Sequence, residues 1–245
     1  MCVSGFGYFI IQRYIVEKTQ KEVQNGMKAV RTVYRQKIAK LKLAFDVINP
    51  DHELDPFKTS ASLDYVRRIP GDVAAAMNDP VIREALREKA TVVGSRIVDE
   101  AELATLGDHF VEKYSLPIVK TEKAHPTRET VLRSVMSIEC ARPFYDESGK
   151  LVSVLNGGRV LNRNTELIEL MSESVFERQL YHDQPVETMT VFQDGVRIAT
   201  TVLDRDGKPA IGTIISGTVY DRVIREGKAW LDRAFVVRDW YLDGV

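Results

Sequence analysis

A stripe of apolar residues with helical spacing is the first regular pattern along the chain. Between Val16 and Ile48, apolar residues recur at steps of three, four and seven positions. Such a heptad-like stripe predicts one amphipathic helix. Asn49-Pro50 ends it, because proline disfavours helical geometry at the preceding residue. A helix of about 33 residues would be about 50 Å long, so we expect it to serve two domains or a dimer.

The segment before this stripe is apolar but short. Residues 1–16 read MCVSGFGYFIIQRYIV, with Gln12 and Arg13 interrupting the apolar run. A membrane-spanning helix needs about 20 apolar residues, and a secretory signal would need a basic start and a small-residue cleavage site. Two interpretations follow: the segment is the outer end of a membrane helix, or it is an apolar first turn that packs on the domain.

Residues 51–160 combine helical periodicity with strand periodicity. Asp79-Pro80 is typical of a helix start, with an N-cap side chain followed by proline at the first helical position. Further along, alternating residues predict two strands that form a hairpin. The predicted elements are helices over 80–90 and 100–113, strands over 131–141 and 150–155, and a turn at 146–149. Before residue 79, only 62–66 is strand-like, and Asn156-Gly157-Gly158 ends the second strand.

The rest of the chain repeats this mixture of helices and strands. Asn164 is the expected cap of a helix, and Asp194-Gly195 is a strong hairpin signal between two strands. Gly227 is the expected stop of a short helix. The predicted elements are a helix from 165, strands over 187–193 and 196–203, a turn at 204–209, a strand over 210–215, a helix over 216–226 and a strand over 228–238. The order predicts an α+β fold in which a long helix precedes two modules with antiparallel sheets.

Composition narrows the class of protein. The 245 residues are 44% hydrophobic and 28% charged, which is typical of a soluble globular chain. A net charge of -1 argues against a nucleic-acid partner. Residues 1–50 carry nine basic and three acidic residues, but these are spread along the helix and predict a solvated face. The two cysteines, Cys2 and Cys140, form no disulfide framework or zinc spacing, and we expect no cofactor and no metal.

Two runs of the sequence resemble the double Cache sensory family. They are GGRVLNRNTELIELM at 157–171 and TMTVFQDGVRIATTVLDRDGKPAIGTIISGTVYDRVIREGKAWLDRAFV at 188–236. The resemblance implies the extracytoplasmic ligand-sensing part of a bacterial membrane receptor, such as a sensor histidine kinase, a chemotaxis receptor or a diguanylate cyclase. It also implies a long N-terminal signalling helix, 1–50, that carries a membrane-distal PAS-like module, 51–160, and a membrane-proximal one, 161–245.

Two departures from the family pattern change what we expect. The family would place a strand pair between residues 50 and 79, so the distal sheet is expected to be reduced or remade. A PAS-like sheet would also continue past Tyr241, so the proximal module is expected to be incomplete at its C-terminus. An incomplete sheet would leave an unpaired edge. It would also remove part of the packing that would otherwise bury Phe235, Val237, Trp240 and Tyr241.

The hairpin around Asp194-Gly195 predicts a ligand pocket. A two-residue turn pairs Gln193 with Val196, Phe192 with Arg197, Val191 with Ile198 and Thr190 with Ala199. One face then combines apolar and polar side chains, as a small-ligand pocket does, and Arg197 could bind a carboxylate with two hydrogen bonds. The predicted ligand-binding residues are Thr190, Phe192, Arg197 and Thr201 on the hairpin, Thr213, Ser216 and Tyr220 on the strand-to-helix connection, and Arg142 and Tyr145 in the distal module.

The predicted function is sensing of a small molecule, in which ligand binding shifts the sheet against the long helix, and not catalysis. A metal-dependent hydrolase is the first alternative, since His109 follows Asp108 and His182 precedes Asp183, but the four histidines have no ligand spacing. A purely structural dimerisation module is the second alternative. For Arg197, the alternative is a structural ion pair. Cys140 is predicted to be a buried, unreactive thiol.

We expect a homodimer through the N-terminal helix, tethered to the bacterial inner membrane by flanking helices and facing the periplasm. The apolar start and the long stripe support this placement. The nine basic residues of 1–50 oppose it under the positive-inside rule, although that rule counts mainly short loops.

Overall fold

The computed structural model describes residues 3–48, 63–173, 180–181, 184–185, 188–228, 230–236 and 239–244. The chain divides into two compact units. We call residues 34–116 and 131–164 the first module, and residues 1–33, 117–130 and 165–245 the second module.

The N-terminal helix is longer than its apolar stripe predicted. Helix α1 spans Val3–Asp46, or 44 residues, which corresponds to about 66 Å. The apolar segment that precedes the stripe therefore belongs to the same helix, which contains no proline to interrupt it. In the first module, Leu41 and Phe45 of the stripe are buried, whereas Leu43 and Val47 are 65% and 81% exposed.

A four-stranded antiparallel sheet forms the centre of the first module, in the order β1-β6-β5-β2. Its strands are β1 (Tyr65–Pro70), β2 (Val92–Val98), β5 (Val135–Tyr145) and β6 (Leu151–Val160), and two short strands, β3 (Leu116–Pro117) and β4 (Val131–Leu132), pair with each other. Strands β1 and β2 flank the predicted hairpin on both sides. Between residues 50 and 79, where the family would place a strand pair, the structure describes 63–79, and this part contains β1. No periodic pattern in the sequence predicted β2.

The Gly157-Gly158 pair does not end the hairpin, as the sequence suggested. Strand β6 continues through both glycines to Val160. Other side chains occupy the space that side chains at these positions would need. A Cβ on Gly157 would lie 2.9 Å from the Phe45 ring, and one on Gly158 would lie 2.6 Å from the Tyr65 hydroxyl. The glycines therefore permit close packing inside the sheet.

Four short helices pack in the first module. They are α2 (Gly71–Ala76), α3 (Pro80–Glu88), α4 (Glu100–Ala104) and α5 (Asp108–Tyr114). Asp79 caps α3 as predicted, since its carboxylate accepts hydrogen bonds from the backbone nitrogens of Val81 and Ile82 at 2.8 and 3.0 Å. The predicted single helix over 100–113 is two helices, because Gly107 with φ of +128° interrupts it.

The second module contains shorter elements. They are α6 (Thr165–Glu173), β7 (Leu180–Tyr181), β8 (Gln184–Pro185), β9 (Thr190–Gln193), β10 (Val196–Thr200), α7 (Gly217–Tyr220), a π-helical turn (Asp221–Arg225), β11 (Leu231–Val236) and β12 (Asp239–Gly244). The predicted strand over 228–238 is only the first arm of a hairpin, in which Phe235 lies opposite Trp240. The predicted strand over 210–215 forms isolated bridges instead of a continuous ladder.

The same turn occurs in both modules, at Asp146 and at Asp204. The Asp146 carboxylate accepts hydrogen bonds from the backbone nitrogens of Ser148 and Lys150, both at 2.9 Å. The Asp204 carboxylate does the same for Asp206 and Lys208, at 2.8 and 2.9 Å. Both turns have the sequence pattern Asp-x-x-Gly-Lys, in which the aspartate replaces backbone acceptors within the turn.

Candidate functional site

The hairpin β9–β10 forms the base of the candidate site in the second module. Asp194 and Gly195 both have positive φ, 49° and 78°, as a two-residue hairpin turn requires. This confirms the predicted turn. A Cβ on Gly195 would lie 2.7 Å from the Tyr220 ring, so the turn needs glycine at this position for space as well as for conformation.

A β-bulge changes the predicted register of the hairpin. Val196 pairs with Gln193 and Arg197 with Phe192, as predicted, but Ala199 then pairs with Val191 and Thr200 with Thr190. Ile198 is the extra residue. The predicted pairs Val191 with Ile198 and Thr190 with Ala199 were therefore wrong. Beyond the bulge, every residue of β10 faces the opposite side from the one predicted.

The bulge brings Thr200, and not Thr201, to the candidate site. The Thr200 hydroxyl lies 2.7 Å from the Thr190 hydroxyl. Thr201 instead pairs with Met189, since its hydroxyl accepts the hydrogen bond of the Met189 backbone nitrogen at 2.8 Å. Sequence reasoning missed Thr200 because no residue pattern predicts an extra residue in a strand that short.

Arg197 is the centre of the site and is only 3% exposed. Its Nε donates to the Thr190 hydroxyl at 3.4 Å, and its Nη1 donates to the Thr213 hydroxyl. The guanidinium carbon lies 5.0 Å from the centre of the Phe192 ring, within the range of a cation–π contact. Three other predicted residues, Thr190, Phe192 and Thr213, thus contact the Arg197 side chain.

Ser216 and Tyr220 lie further along the connection that carries Thr213. Ser216 is buried and precedes α7, and its carbonyl accepts the hydrogen bond of the Tyr220 backbone nitrogen at 2.9 Å. The Tyr220 ring lies against Gly195, as above, and stacks on His125. The Tyr220 ring therefore adjoins the hairpin turn.

The predicted residues of the first module, Arg142 and Tyr145, occupy a different setting. Arg142 Nη1 donates to the carbonyl oxygens of Phe45 and Ile48, at the end of α1. Tyr145 lies at the end of β5, with the Lys89 ammonium 5.9 Å from the centre of its ring. The two side chains therefore do not converge on one group of polar atoms in the way that Arg197 and its threonines do.

A second polar cluster lies inside the first module, and the sequence analysis did not identify it. Arg96 contacts three carboxylates: its Nε donates to Glu139 at 2.8 Å, its Nη1 donates to Glu102 at 2.7 Å, and its Nη2 lies 2.9 Å from Asp79. Glu139 is fully buried and also accepts a hydrogen bond from the Tyr65 hydroxyl. We call these residues the Arg96 cluster.

The register of the sheet explains why this cluster forms. Tyr65 and Glu139 are both paired with Gly158, from opposite sides, so their side chains meet over a residue that has none. Burial and, second, the Glu139 carboxylate raise the pKa of Tyr65 above its ordinary value. A glutamate inside the otherwise apolar stretch 138–141 was the one sequence signal for a buried ion pair.

Within the described part of the chain, no group of three histidine, cysteine, aspartate or glutamate residues is arranged to hold a metal ion. His109 packs against Phe110, with ring centres 4.5 Å apart, and His182 lies outside the described residues. Cys140 is buried, and burial raises the pKa of its thiol. The thiol is therefore protonated at neutral pH.

The family comparison identifies the part of the chain that contains the site. Residues 159–244 match the model of the single Cache domain 3 family. These residues form a Cache-type sensory domain. The Cache domain includes β9, β10 and the connection to α7, and hence seven of the nine predicted site residues. The match concerns a single Cache domain, so the double Cache organisation of the whole chain stays a prediction.

No curated protein matches the sequence. Among solved structures, the periplasmic domain of Vibrio cholerae LuxQ is similar over 76% of this chain and 77% of that one, with 14% identity and a TM-score of 0.28. A TM-score of this size does not show a shared fold. No helix among the described residues combines the length and the apolar character needed to cross a membrane.

Proposed function

We propose that the chain is the extracytoplasmic sensing region of a bacterial transmembrane receptor, and that its Cache domain binds a small carboxylate at Arg197. The observation that carries this proposal is the group of hydrogen-bonding side chains around a buried arginine in the matched segment. Arg197 lies among the hydroxyls of Thr190 and Thr213, over the Phe192 ring.

The chemistry of these groups supports a carboxylate. A guanidinium donates two parallel hydrogen bonds to the two oxygens of a carboxylate. Each threonine hydroxyl carries one donor and two acceptor sites. The Thr213 and Thr200 hydroxyls donate to the carbonyls of Ala210 and Met189, so each would rotate away from that carbonyl to donate to a ligand oxygen. Thr200, placed by the bulge 2.7 Å from Thr190, adds a further hydroxyl. Phe192 supplies an apolar surface for the carbon skeleton of the ligand.

Binding is proposed to shift the sheet against α1 and so reach the membrane. In the first module, hydrogen bonds join the four-stranded sheet and the residue before β2 to the end of α1. Arg142 of β5 binds the carbonyl of Phe45, and the Thr91 hydroxyl donates to the Asp46 carboxylate. A displaced sheet would carry the helix end with it. The repeated Asp-x-x-Gly-Lys turn supports two related modules, as a double Cache organisation would have.

Thermal denaturation with acetate, lactate, succinate or citrate tests the binding proposal, with the corresponding amides as uncharged controls. A ligand at 100 times its Kd adds about 2.7 kcal/mol to the free energy of unfolding. We expect at least one acid, and none of the amides, to raise the melting temperature. If every acid leaves it unchanged in a folded protein, the carboxylate proposal is wrong.

Calorimetry with the acid that binds then tests the residues. Arg197→Met should lower its affinity at least about tenfold, as loss of a charge-assisted hydrogen bond does. Thr200→Val should weaken binding more than Thr201→Val, because the bulge places only Thr200 next to Thr190. Arg205→Met is the control, since Arg205 lies in the exposed turn after Asp204 and should leave the affinity unchanged.

Dimerisation through α1 and a periplasmic location are further parts of the proposal. Leu43 and Val47, one helical turn apart and largely exposed, support a helix that packs on its twin. Leu43→Glu with Val47→Glu should shift the sedimentation coefficient from dimer to monomer without unfolding the protein. A reporter enzyme fused after Val245 in the full-length receptor should be active in the periplasm, and activity in the cytoplasm alone would overturn this location.

A further inference from the structure

A loop beside Arg197 is hydrogen-bonded to another part of the second module. We call residues 212–220 the site loop and residues 118–126 the strap. The site loop pairs directly with Arg197: the Gly212 nitrogen donates to the Arg197 carbonyl, and the Arg197 nitrogen donates to the Thr213 carbonyl, both at 2.8 Å. Arg197 is 3% exposed, and its Nη1 donates to the Thr213 hydroxyl of this loop, so the site loop lies directly against the guanidinium.

The strap binds the site loop through backbone hydrogen bonds along its length. The Val119 nitrogen donates to the Gly212 carbonyl at 2.9 Å, and the His125 nitrogen donates to the Ile215 carbonyl at 2.9 Å. In the opposite direction, the Gly217 nitrogen donates to the Lys123 carbonyl at 3.1 Å. These bonds hold the backbone of the loop from Gly212 to the start of α7.

One side-chain contact joins the end of the strap to the end of the site loop. The rings of His125 and Tyr220 are stacked, with centres 3.7 Å apart and planes at 6°. The Tyr220 ring in turn lies against Gly195, two residues before Arg197. His125 thus supports, through Tyr220, the hairpin turn from which Arg197 extends.

We propose that His125 is a positioning residue for the Arg197 site: its stack on Tyr220 keeps the site loop closed, and release of the stack lets a ligand reach Arg197. The inference rests on the proposed function, since it assigns a gate to the same site. The gate itself can be measured without any ligand, because it predicts how fast small reagents reach the Arg197 side chain.

Modification of Arg197 by phenylglyoxal, followed by peptide mass spectrometry, measures this access. In His125→Ala, we expect the modification rate of Arg197 to rise about two- to tenfold, the range that corresponds to loss of one aromatic pair. Hydrogen exchange at the Gly217 and His125 amides should rise by a similar factor. His125→Phe keeps a ring for the stack and should restore both rates to those of the unchanged protein.

Two further variants separate a gate from a general loss of stability. His109→Ala removes a histidine of the first module that packs on Phe110. It should leave the modification rate of Arg197 and the hydrogen exchange of the Gly217 amide unchanged. His125→Leu fills the volume without a stacking ring, and it should open the site even where His125→Ala does not fold. If Arg197 reacts at an unchanged rate in folded His125→Ala or folded His125→Leu, the proposed gate is wrong.

The outcomes also distinguish this inference from the proposed function. Faster modification in His125→Ala, together with no binding of any acid, would support the gate and contradict the carboxylate sensor. Binding of an acid, together with unchanged modification rates, would support the sensor and contradict the gate.

Discussion

Arg142 Nη1 lies 2.7 Å from the carbonyl oxygen of Phe45, in the last turn of α1. It also donates to the Ile48 carbonyl at 2.9 Å. The last carbonyls of a helix have no partners within the helix, and a positive charge there is favourable. Arg142, which is partly buried in β5, therefore has a structural role at the end of α1.

Removal of this contact should destabilise the protein. Arg142→Met keeps much of the length of the side chain but leaves the carbonyls of Phe45 and Ile48, at the end of α1, without their charged donor. We expect the free energy of unfolding to fall by about 1.5–3 kcal/mol, the range for hydrogen bonds to charged groups, as measured by urea denaturation. Arg133→Met is the control, because Arg133 forms an exposed ion pair with Glu100 that contributes less than about 1 kcal/mol. Equal effects of the two changes would contradict the structural role.

The Arg96 cluster should be the most sensitive ionic group of the first module. Arg96→Met leaves the buried Glu139 carboxylate without its cation, and a broken buried pair destabilises by about 3–5 kcal/mol. Adding Glu139→Gln should restore part of this loss, because the variant then buries no unpaired charge. The exposed pair of Arg87 and Glu84 is the control, and Arg87→Met should change stability only slightly. A double variant less stable than Arg96→Met would oppose this account.

Cys140 should react with thiol reagents only when the protein unfolds. Burial raises the pKa of its thiol, so little thiolate forms in the folded protein. In Cys2→Ser protein, which leaves Cys140 as the one cysteine, Ellman's reagent should react at the rate of unfolding. Rapid stoichiometric reaction in native buffer would show that the thiol is exposed.

The same raised pKa predicts a loss of stability at alkaline pH. A thiol whose folded pKa exceeds its unfolded value stabilises the fold fully below the unfolded pKa of about 8.5. This contribution is lost as pH rises above that value, by at most about 1.4 kcal/mol per pH unit. Urea denaturation between pH 8 and 10 should therefore show a smaller decline for Cys140→Ala than for the unchanged protein. Parallel curves would contradict the assigned pKa direction.

Gly212 should tolerate alanine less well than the turn glycines. Gly207 and Gly149 have φ of +74° and +81° with open space around them, so alanine costs about 1 kcal/mol there from backbone conformation alone. Gly212 has φ of +86°, and a Cβ there would overlap the carbonyl oxygen of Pro117. We expect Gly212→Ala to lower the free energy of unfolding by at least twice as much as Gly207→Ala. Melting temperatures that fall equally would argue against this packing.

Local sequence signals identified the elements whose formation depends on neighbouring residues. The stripe that ends near Ile48 predicted α1, Asp79-Pro80 predicted the start of α3, and Asp194-Gly195 predicted the hairpin turn. Each of these signals acts within one turn or a few residues, through capping, backbone conformation or periodic burial. The resemblance to Cache proteins, based on residues 157–236, agrees with the family match to 159–244.

Interactions between residues far apart in sequence determined the rest. The bulge at Ile198 places Thr200, and not Thr201, at the candidate site. A bulge exists only in the pairing of two strands, so the sequence of one strand does not predict it. The glycine pair predicted the end of β6, yet the strand continues, because β1 and β5 pair with it through both glycines, which leave room for Phe45 and Tyr65. Arg96 and Glu139 are 43 residues apart and meet only when β2 pairs with β5. Sequence alone determined the local elements and the class of fold, whereas the polar side chains that come together depended on strand register, which is set by packing across the whole sheet.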